Sequence, residues 1–356
     1  MFYYAAILLV SFLSCWLFTF PVKSVSHKVG FLDLPTDRKM HSRPIPYGGG
    51  AGIFLAFITA VIVLYLIYPP SFLFRSRLEG LVVGGFIVLA FGLLDDAIGS
   101  GALLKFAAEA LVAVVMYRYG FRFERLSIPG LGAVQLGWAG PVLTILWFWL
   151  MMNAINLIDG MDGLAAGITG IAALTILIIT FSEARMMEAF LAIIVVGISA
   201  GFLPHNFHPA KIFMGDAGSL FLGFLMASLT LATSTKAPAL LTLFIPLLAM
   251  GMPVFDTAHA FLRRIATGSH PFRADTRHLH HRLMALGLSQ KRAVLFLYYI
   301  AAYLGVMAYV LSRMPGHITA LVVTLLLIGL FLISENLTVM GNGIKKKDEK
   351  DYEEKK

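Results

Sequence analysis

The chain has 356 residues, of which 58% are hydrophobic and 13% are charged, and its mean hydropathy is +0.82. This composition excludes a soluble globular protein and predicts a polytopic membrane protein. The net charge of +8 comes from basic residues scattered along loops, which favours anionic lipids and small anions over nucleic acid as partners. The single cysteine, Cys15, excludes a disulfide framework.

Apolar runs predict an all-α integral membrane protein with eleven spanning helices in one catalytic domain, residues 1–340. The predicted spans are residues 2–22, 48–68, 80–94, 103–119, 140–157, 164–181, 187–203, 219–235, 237–255, 292–311 and 317–334. Residues 120–138, between the fourth and fifth spans, are rich in glycine and proline and predict a small extracytoplasmic β-hairpin. Residues 341–356 form a mixed-charge cytoplasmic tail that we predict to be disordered.

Lysine and arginine residues are unevenly distributed between the two sides that this topology defines, with 20 on one side and 8 on the other. The side that is richer in these residues is expected to be cytoplasmic. The N-terminus is then outside and the C-terminus inside. All eleven aspartates and nine of the ten histidines fall on or near the cytoplasmic side, so we expect the chemistry there.

Four polar side chains follow one another at intervals of three residues where the fifth span ends: Asn153, Asn156, Asp159 and Asp162. A spacing of three moves each helical side chain back by about 60°, so they follow one slowly winding stripe. Amides and carboxylates at a membrane boundary require a polar ligand, a cation or water. A solvated loop explains one aspartate and the glycines, but it does not explain two asparagines within the apolar segment.

The third span ends in two adjacent acids, Asp95 and Asp96. Neighbouring helical residues point about 100° apart, so these carboxylates are not expected to bind one ion from one face. They can divide the work: one holds Mg²⁺ directly or through water, and the other accepts a proton or orients a second substrate.

The first cytoplasmic loop places Lys39 and Arg43 ahead of three glycines, Gly48 to Gly50. Two interpretations remain open here. The cations and the glycine amides can receive phosphate oxygens, or the segment is an ordinary turn with positive charge on the cytoplasmic side.

Two further loops carry candidate substrate ligands. Asp216 could be a helix N-cap, although Lys211, Asn206 and Phe213 supply the cation, amide and stacking face that a nucleotide requires. The longest loop holds His278, His280 and His281 among five arginines. A clamp on a diphosphate suits that set better than a zinc site, because every group donates hydrogen to oxygen.

Four of these motifs, in this order, resemble those of the polyprenyl-phosphate N-acetylhexosamine-1-phosphate transferases. They are DDxxG at 95–99, NAINLIDGMDGLAAG at 153–167, FMGDAGSL at 213–220 and HLHHRL at 278–283. The resemblance covers residues 30–287. Within this superfamily the chain is most similar to the bacterial undecaprenyl-phosphate N-acetylglucosaminyl-1-phosphate transferases.

Two positions depart from related patterns. Gly99 stands where a third aspartate often closes the first motif, so no third ligand is expected from that loop. Arg282 and Leu283 follow His281, whereas the sister group, phospho-N-acetylmuramoyl-pentapeptide translocase, usually has a third consecutive histidine. The muropeptide assignment therefore remains the second choice.

The resemblance implies a phosphotransferase of the bacterial inner membrane that uses UDP-N-acetylglucosamine and undecaprenyl phosphate, releases UMP and requires Mg²⁺, with Mn²⁺ as the alternative. It also implies a homodimer. The implied metal ligands are Asp216 and Asp96, and the implied catalytic residues are Asp95, Asp96, Asp159, Asp162, His278, His280 and His281. The implied substrate ligands are Lys39, Arg43, Asn153, Asn156, Asp159, Asn206, Phe213, Arg264, His278, His280 and His281.

A hypothesis from another class is a transporter of an anionic nucleotide sugar. It predicts polar residues through the membrane and near the outer side. The spans contain few such residues apart from Glu109, so the enzyme is favoured.

Overall fold

The computed structural model describes residues 2–35, 43–68, 71–128, 132–234 and 286–319, together with the isolated positions 248, 251, 283–284, 321–326 and 328–329. Nine helices in these ranges are α1 (Phe2–Lys28), α2 (Gly49–Ile67), α3 (Phe72–Ile98), α4 (Ala102–Arg118), α5 (Ala139–Ile158), α6 (Leu164–Ser182), α7 (Met186–Asn206), α8 (Gly215–Ser234) and α9 (Gln290–Ser312). All of these helices except α4 are long and apolar enough to cross a bilayer. The chain is therefore a multi-pass membrane protein.

Two short antiparallel hairpins connect helices. In one, β1 (Leu32–Asp33) pairs with β2 (Ile45–Pro46), and this hairpin lies between α1 and α2. In the other, β3 (Arg125–Ile128) pairs with β4 (Gly132–Gln135) between α4 and α5. The second hairpin confirms the one predicted within residues 120–138, whereas the first was not predicted because its strands have only two residues each.

Helix α8 lies at the centre of the described bundle. It packs against α3, α5 and α2, and nearly all of its residues are buried. The crossing with α3 is very close, because a Cβ added at Gly92 would collide with the backbone of Ala217. Small residues at such crossings let membrane helices approach until their backbones touch. This contact lies one turn from Asp95 and Asp96, so it also sets their distance from Asp216.

The predicted spans agree with the helices in number and order as far as the structure describes them. The predicted span 237–255 lies almost entirely outside the described residues. For the last span, 317–334, the structure contains the apolar helix Gly316–Leu326. The total of eleven spans and the orientation stay predictions.

The helix ends differ from the predicted ones. The third predicted span ended at Leu94, but α3 continues to Ile98, so both acids lie in its last turns. The eighth span was predicted from Ser219, but α8 begins at Gly215. Hydropathy places the end of a span at the first polar residue, whereas a helix continues as long as its backbone groups find partners.

Candidate active site

Four helix ends meet in the described structure: the C-terminal ends of α3 and α5 and the N-terminal ends of α4 and α8. Their polar side chains form a group that we call the carboxylate cluster. It consists of Asp95 and Asp96 from α3, Lys105 from α4, Asn156 and Asp159 from the end of α5, and Asp216 from α8. The structure thus brings together acids that are separated by up to 121 positions in the sequence.

Lys105 lies at the centre of the carboxylate cluster. Its Nζ donates to Asp216 Oδ2 at 2.5 Å and lies 3.5 Å from Asp95 Oδ2. The side-chain oxygen of Asn156 is 3.4 Å from the same nitrogen. Lys105 and the two acids are largely shielded from solvent, with 10–31% of each side chain exposed. The ammonium therefore neutralises carboxylates in a place where water screens them poorly.

The second oxygen of Asp216 is bound by an amide. Asn156 Nδ2 donates to Asp216 Oδ1 at 2.8 Å and to Ser219 Oγ at 2.9 Å. Both carboxylate oxygens of Asp216 consequently have fixed partners from other helices. This arrangement orients the carboxylate before any ligand arrives.

The two adjacent acids of α3 face different partners, as their angular separation predicted. Asp95 Oδ1 accepts from the backbone N–H of Ser100 at 2.6 Å and also from the Ser100 hydroxyl. Asp96 accepts from the backbone N–H groups of Asp216 at 2.7 Å and Ala217 at 3.2 Å. Asp96 therefore caps the N-terminal end of α8 from another helix, where a negative charge is favoured.

Gly215 makes this capping contact sterically accessible. Its φ is +68°, a left-handed conformation that favours glycine. A Cβ at this position would also collide with the carboxylate of Asp96. The alternative that Asp216 is itself the N-cap is wrong, because Asp216 lies in the first turn of α8 and Asp96 supplies the cap.

Asp159 is the C-cap residue of α5, just beyond the helix. Burial, followed by the negative charges of Asp216 and Asp96, raises the pKa of the Asp159 carboxyl well above its usual range. The carboxylate form is therefore costly in the folded chain. A cation or a hydrogen-bond donor beside it would reduce that cost.

Asp162 lies beyond the C-terminal end of α5 and binds the loop that follows α7. Its Oδ2 accepts from the backbone N–H of Ala210 at 3.0 Å and lies 2.8 Å from His208 Nδ1. The catalytic role of Asp162 stays a prediction.

Asn206 joins two loops. Its Oδ1 accepts from the N–H of Gly163 at 3.0 Å, and its Nδ2 donates to the carbonyl of Ile212 at 3.0 Å. The residue is only 2% exposed, so its contacts are with backbone. Phe213 is half-buried beside Tyr47, with 6.1 Å between ring centres. Binding of a nucleotide by either residue stays a prediction.

The glycines at the start of α2 do not present free amides. The N–H groups of Gly49 and Gly50 donate to the carbonyls of Phe213 and Met214, each at 3.0 Å. The hypothesis that these amides receive phosphate is therefore wrong for Gly49 and Gly50. Their small size instead permits close packing, because a Cβ at Gly50 would collide with the α8 backbone at Gly218. Arg43, ahead of them, is exposed.

Asn153 faces another partner. Its Nδ2 donates to Glu109 Oε2 on α4 at 2.8 Å and to the carbonyl of Trp149 at 2.9 Å. The first residue of the polar stripe therefore binds within the bundle, one turn deeper than the carboxylate cluster. Its assignment to substrate binding stays a prediction.

Several predicted site residues lie outside the described residues, and their roles stay predictions. They are Lys39, Arg264, His278, His280 and His281.

Lys105 was not among the residues predicted to have a chemical role. It was only one of the positive charges that indicated the cytoplasmic side. The available signal was its place in the run ALLKFAAEALVAVV, where a single cation lies near the start of an apolar helix. A charge in such a position usually has a partner or a function.

The donor chemistry of the carboxylate cluster fits a magnesium ion. The described residues contain no ready-made group of three histidine, cysteine or acidic side chains for a metal. Magnesium, however, commonly uses one or two carboxylates and completes its shell with water and substrate phosphate. Asp216 and Asp95 already converge on one cation, the Lys105 ammonium. Their oxygens are the hard ligands that such an ion prefers.

Comparison with known proteins gives the family. The sequence profile described as glycosyl transferase family 4 matches residues 78–234. A Bacillus subtilis protein, named a probable undecaprenyl-phosphate N-acetylglucosaminyl 1-phosphate transferase, is 37% identical over 328 residues. That match covers 92% of this chain and 90% of the relative. The chain belongs to glycosyl transferase family 4.

Other family members agree with this placement. A Mycobacterium tuberculosis decaprenyl-phosphate N-acetylglucosaminephosphotransferase is 34% identical over 82% of this chain and 77% of its own length. The Escherichia coli K12 undecaprenyl-phosphate alpha-N-acetylglucosaminyl 1-phosphate transferase is 29% identical over 82% of this chain and 80% of its own length. The resemblance inferred from the four motifs is confirmed. The family profile spans α3 to α8, which carry all six residues of the carboxylate cluster.

Proposed function

We propose that this membrane phosphotransferase transfers N-acetylglucosamine 1-phosphate from UDP-N-acetylglucosamine to undecaprenyl phosphate. The products are UMP and a lipid-linked sugar that begins a cell-surface glycan. The names of the relatives support the substrates. The single observation in this chain that carries the proposal is the carboxylate cluster, in which Asp95 and Asp216 converge on one cationic position.

The reaction exchanges one phosphoanhydride bond for another. An oxygen of the lipid phosphate attacks the phosphorus that bears the sugar, and the bond from that phosphorus to the bridging oxygen breaks. The bridging oxygen leaves on UMP. The lipid phosphate is already ionised near neutral pH, so this step does not require removal of a proton by the protein.

Both substrates are anions, and their mutual repulsion is the main barrier to approach. A bound Mg²⁺, held by Asp216 with Asp96 as its neighbour, would neutralise the diphosphate and polarise its phosphorus. Asn156 supports this role because it fixes the Asp216 carboxylate. Lys105 neutralises the Asp216 carboxylate before the ion binds.

The other residues are proposed to bind and orient substrates. Asp95 orients the lipid phosphate, because it lies at the end of α3 beside Lys105. Asp159 and Phe213 contact the uracil ring, and Asn206 fixes the loop that precedes Phe213. Residues outside the described ranges hold the diphosphate and sugar, together with Arg43 at the first loop. They are Lys39, Arg264, His278, His280 and His281.

We further propose that the active site faces the cytoplasm from the bacterial inner membrane and that the chain forms a homodimer. The charge distribution of the loops supports the orientation, with 20 basic residues on one side and 8 on the other. The meeting of α3, α4, α5 and α8 ends supports a single site on one side of the bilayer.

The function is tested with membranes that contain the overexpressed chain. They are incubated with Mg²⁺, polyprenyl phosphate and UDP-N-acetylglucosamine labelled in the sugar. We expect equal amounts of UMP and labelled lipid. Labelled sugar nucleotide inside sealed vesicles, without UMP, would instead support a transporter. Acceptance of only the UDP-muramoyl pentapeptide would support the muropeptide translocase.

A further inference from the structure

A second buried acid lies one helical turn from Lys105. Glu109 is on α4, four residues after the lysine, and is 2% exposed. Its Oε2 accepts from Asn153 Nδ2 at 2.8 Å. Its Oε1 is buried and has no hydrogen-bond partner among the residues that the structure describes. A buried carboxylate oxygen without a partner is unfavourable, so its presence here calls for a state in which it has one.

The geometry of α4 brings Glu109 towards Lys105. Residues four apart lie on the same helix face. Helical side chains lean towards the N-terminus, so the Glu109 carboxylate extends over the turn that carries Lys105. Glu109 Oε2 binds Asn153, which lies one turn before Asn156. The side-chain oxygen of Asn156 is 3.4 Å from Lys105 Nζ. Rotation about side-chain bonds alone would then let Lys105 exchange one carboxylate for another.

The proposed metal would compete with Lys105 for the same oxygens. The ammonium contacts Asp216 Oδ2 at 2.5 Å and Asp95 Oδ2 at 3.5 Å. A divalent ion on Asp216 Oδ2 would lie within a few ångströms of the ammonium, where two positive charges repel strongly. Entry of the ion therefore requires the ammonium to leave.

We propose that Glu109 is a positioning residue that receives the Lys105 ammonium when a divalent cation binds Asp216. The inference rests on the proposed function of the carboxylate cluster. Lys105 is paired with Asp216 before the cation enters and with Glu109 Oε1 afterwards. The lysine is thus never buried without a counter-ion, and the cation meets no competing charge.

The test is the affinity of the purified full chain for Mn²⁺ without substrates, measured from the free-ion signal in electron paramagnetic resonance. Glu109→Gln removes the charge and keeps an oxygen that accepts from Asn153. We expect its dissociation constant for Mn²⁺ to be about tenfold higher than that of the wild type, the value of one charge-assisted hydrogen bond. The matched control is Glu79→Gln, which removes the same charge from the exposed pair with Arg75 on α3. Its affinity is expected to be unchanged.

The same Glu109→Gln substitution, made in a Lys105→Met variant, shows whether Glu109 acts through Lys105. Lys105→Met removes the competing ammonium and should bind Mn²⁺ more tightly than the wild type. In that background Glu109→Gln should have no further effect. Equal loss in both backgrounds, or wild-type affinity in the single Glu109→Gln variant, would overturn the proposal. If Glu109→Gln does not fold, weaker or unchanged binding in Lys105→Met alone overturns it.

Release of UMP by the wild type separates the two levels of inference. Absence of UMP contradicts the proposed function. Normal UMP release together with Mn²⁺ binding that does not respond to Glu109→Gln contradicts only the role of Glu109.

Discussion

The two ends of α3 differ in how their charged side chains are paired and how far they are exposed to solvent. At its N-terminal end, Arg75 and Glu79 pair at 3.0 Å, are four residues apart in sequence, and have 57% and 54% of their side chains exposed. At its C-terminal end, the acids belong to the carboxylate cluster, where Lys105 and Asp216 pair across 111 residues and are largely shielded from solvent.

The exposed pair is an interaction that one helix can make by itself, whereas the buried group of charges exists only because several helices pack together. An exposed pair within one helix contributes between zero and about 1 kcal/mol and requires no other element. A buried group of acids from several helices carries a desolvation cost that usually exceeds what its ion pairs return. Maintaining such a group suggests a use other than stability. The following variants test that contrast, from the largest expected effect to the smallest.

Replacement of Asp216 by asparagine should have the largest effect. Loss of one charged group that stabilises a transition state commonly lowers a rate by about 10²–10³-fold. We expect this loss in UMP release by Asp216→Asn, with normal insertion into membranes. Glu79→Gln, which alters the exposed pair at the N-terminal end of α3, should retain at least about half the wild-type rate of UMP release. A normal rate for Asp216→Asn at saturating Mg²⁺ would contradict the metal role.

Gly92→Ala should disturb the position of the whole cluster. The added methyl group collides with Ala217, so α3 and α8 must separate. Overpacking of this kind costs about 1–3 kcal/mol, and we expect a lower thermal midpoint in detergent together with slower transfer. Gly101→Ala is the matched control, because nothing lies within 4 Å of a Cβ there. Equal midpoints for the two variants would show that the crossing is not tight.

Asp96→Ala should weaken the N-terminal end of α8. It removes the acceptor of two backbone N–H groups, and loss of a helix cap costs about 1 kcal/mol. Asp96→Asn keeps one oxygen acceptor and should lose less. The thermal midpoints of both variants test this ranking. An identical midpoint for wild type and Asp96→Ala would rule out the capping role.

Asp159→Asn should slightly raise the stability of the protein, whereas the preceding variants lower activity or stability. Because burial raises the pKa of Asp159 in the folded chain, the folded state binds this proton more tightly than the unfolded state. The free energy of unfolding therefore falls as pH rises above about 4. We expect the variant to have a higher thermal midpoint than the wild type by about 2 °C at pH 7.5, with the difference vanishing towards pH 4. A lower midpoint for the variant at pH 7.5 would contradict this sign.

Much of the fold could be predicted because membrane spans are a local property. Each apolar run must bury its own backbone in a helix, so hydropathy identified the positions of α1 to α3 and of their successors. The exact ends of the helices could not be predicted from hydropathy. The start of α8 depends on Asp96, a residue 120 positions earlier, which supplies the acceptors that its first turn requires.

The acids of the site could be predicted from their cost at a membrane boundary, and the structure brings Asp95, Asp96, Asp159 and Asp216 together as that argument required. The role of Lys105 could not be found in the same way. Its neighbours in sequence are apolar, its partners come from three other helices, and the bias of positive charge towards the cytoplasm already explained it. The same holds for Glu109, whose partner Asn153 is 44 residues away.

The bond between Asp96 and the start of α8 also constrains how the protein is made. The ribosome completes α3 long before it reaches Gly215, and at typical speeds of synthesis this interval lasts on the order of ten seconds. During that time Asp96 lacks the backbone N–H groups of α8 and Lys105 lacks Asp216, so water, lipid headgroups or the insertion machinery take their places. The chain consequently passes through a stage in which its most polar segment is incomplete, and insertion of α8 ends that stage.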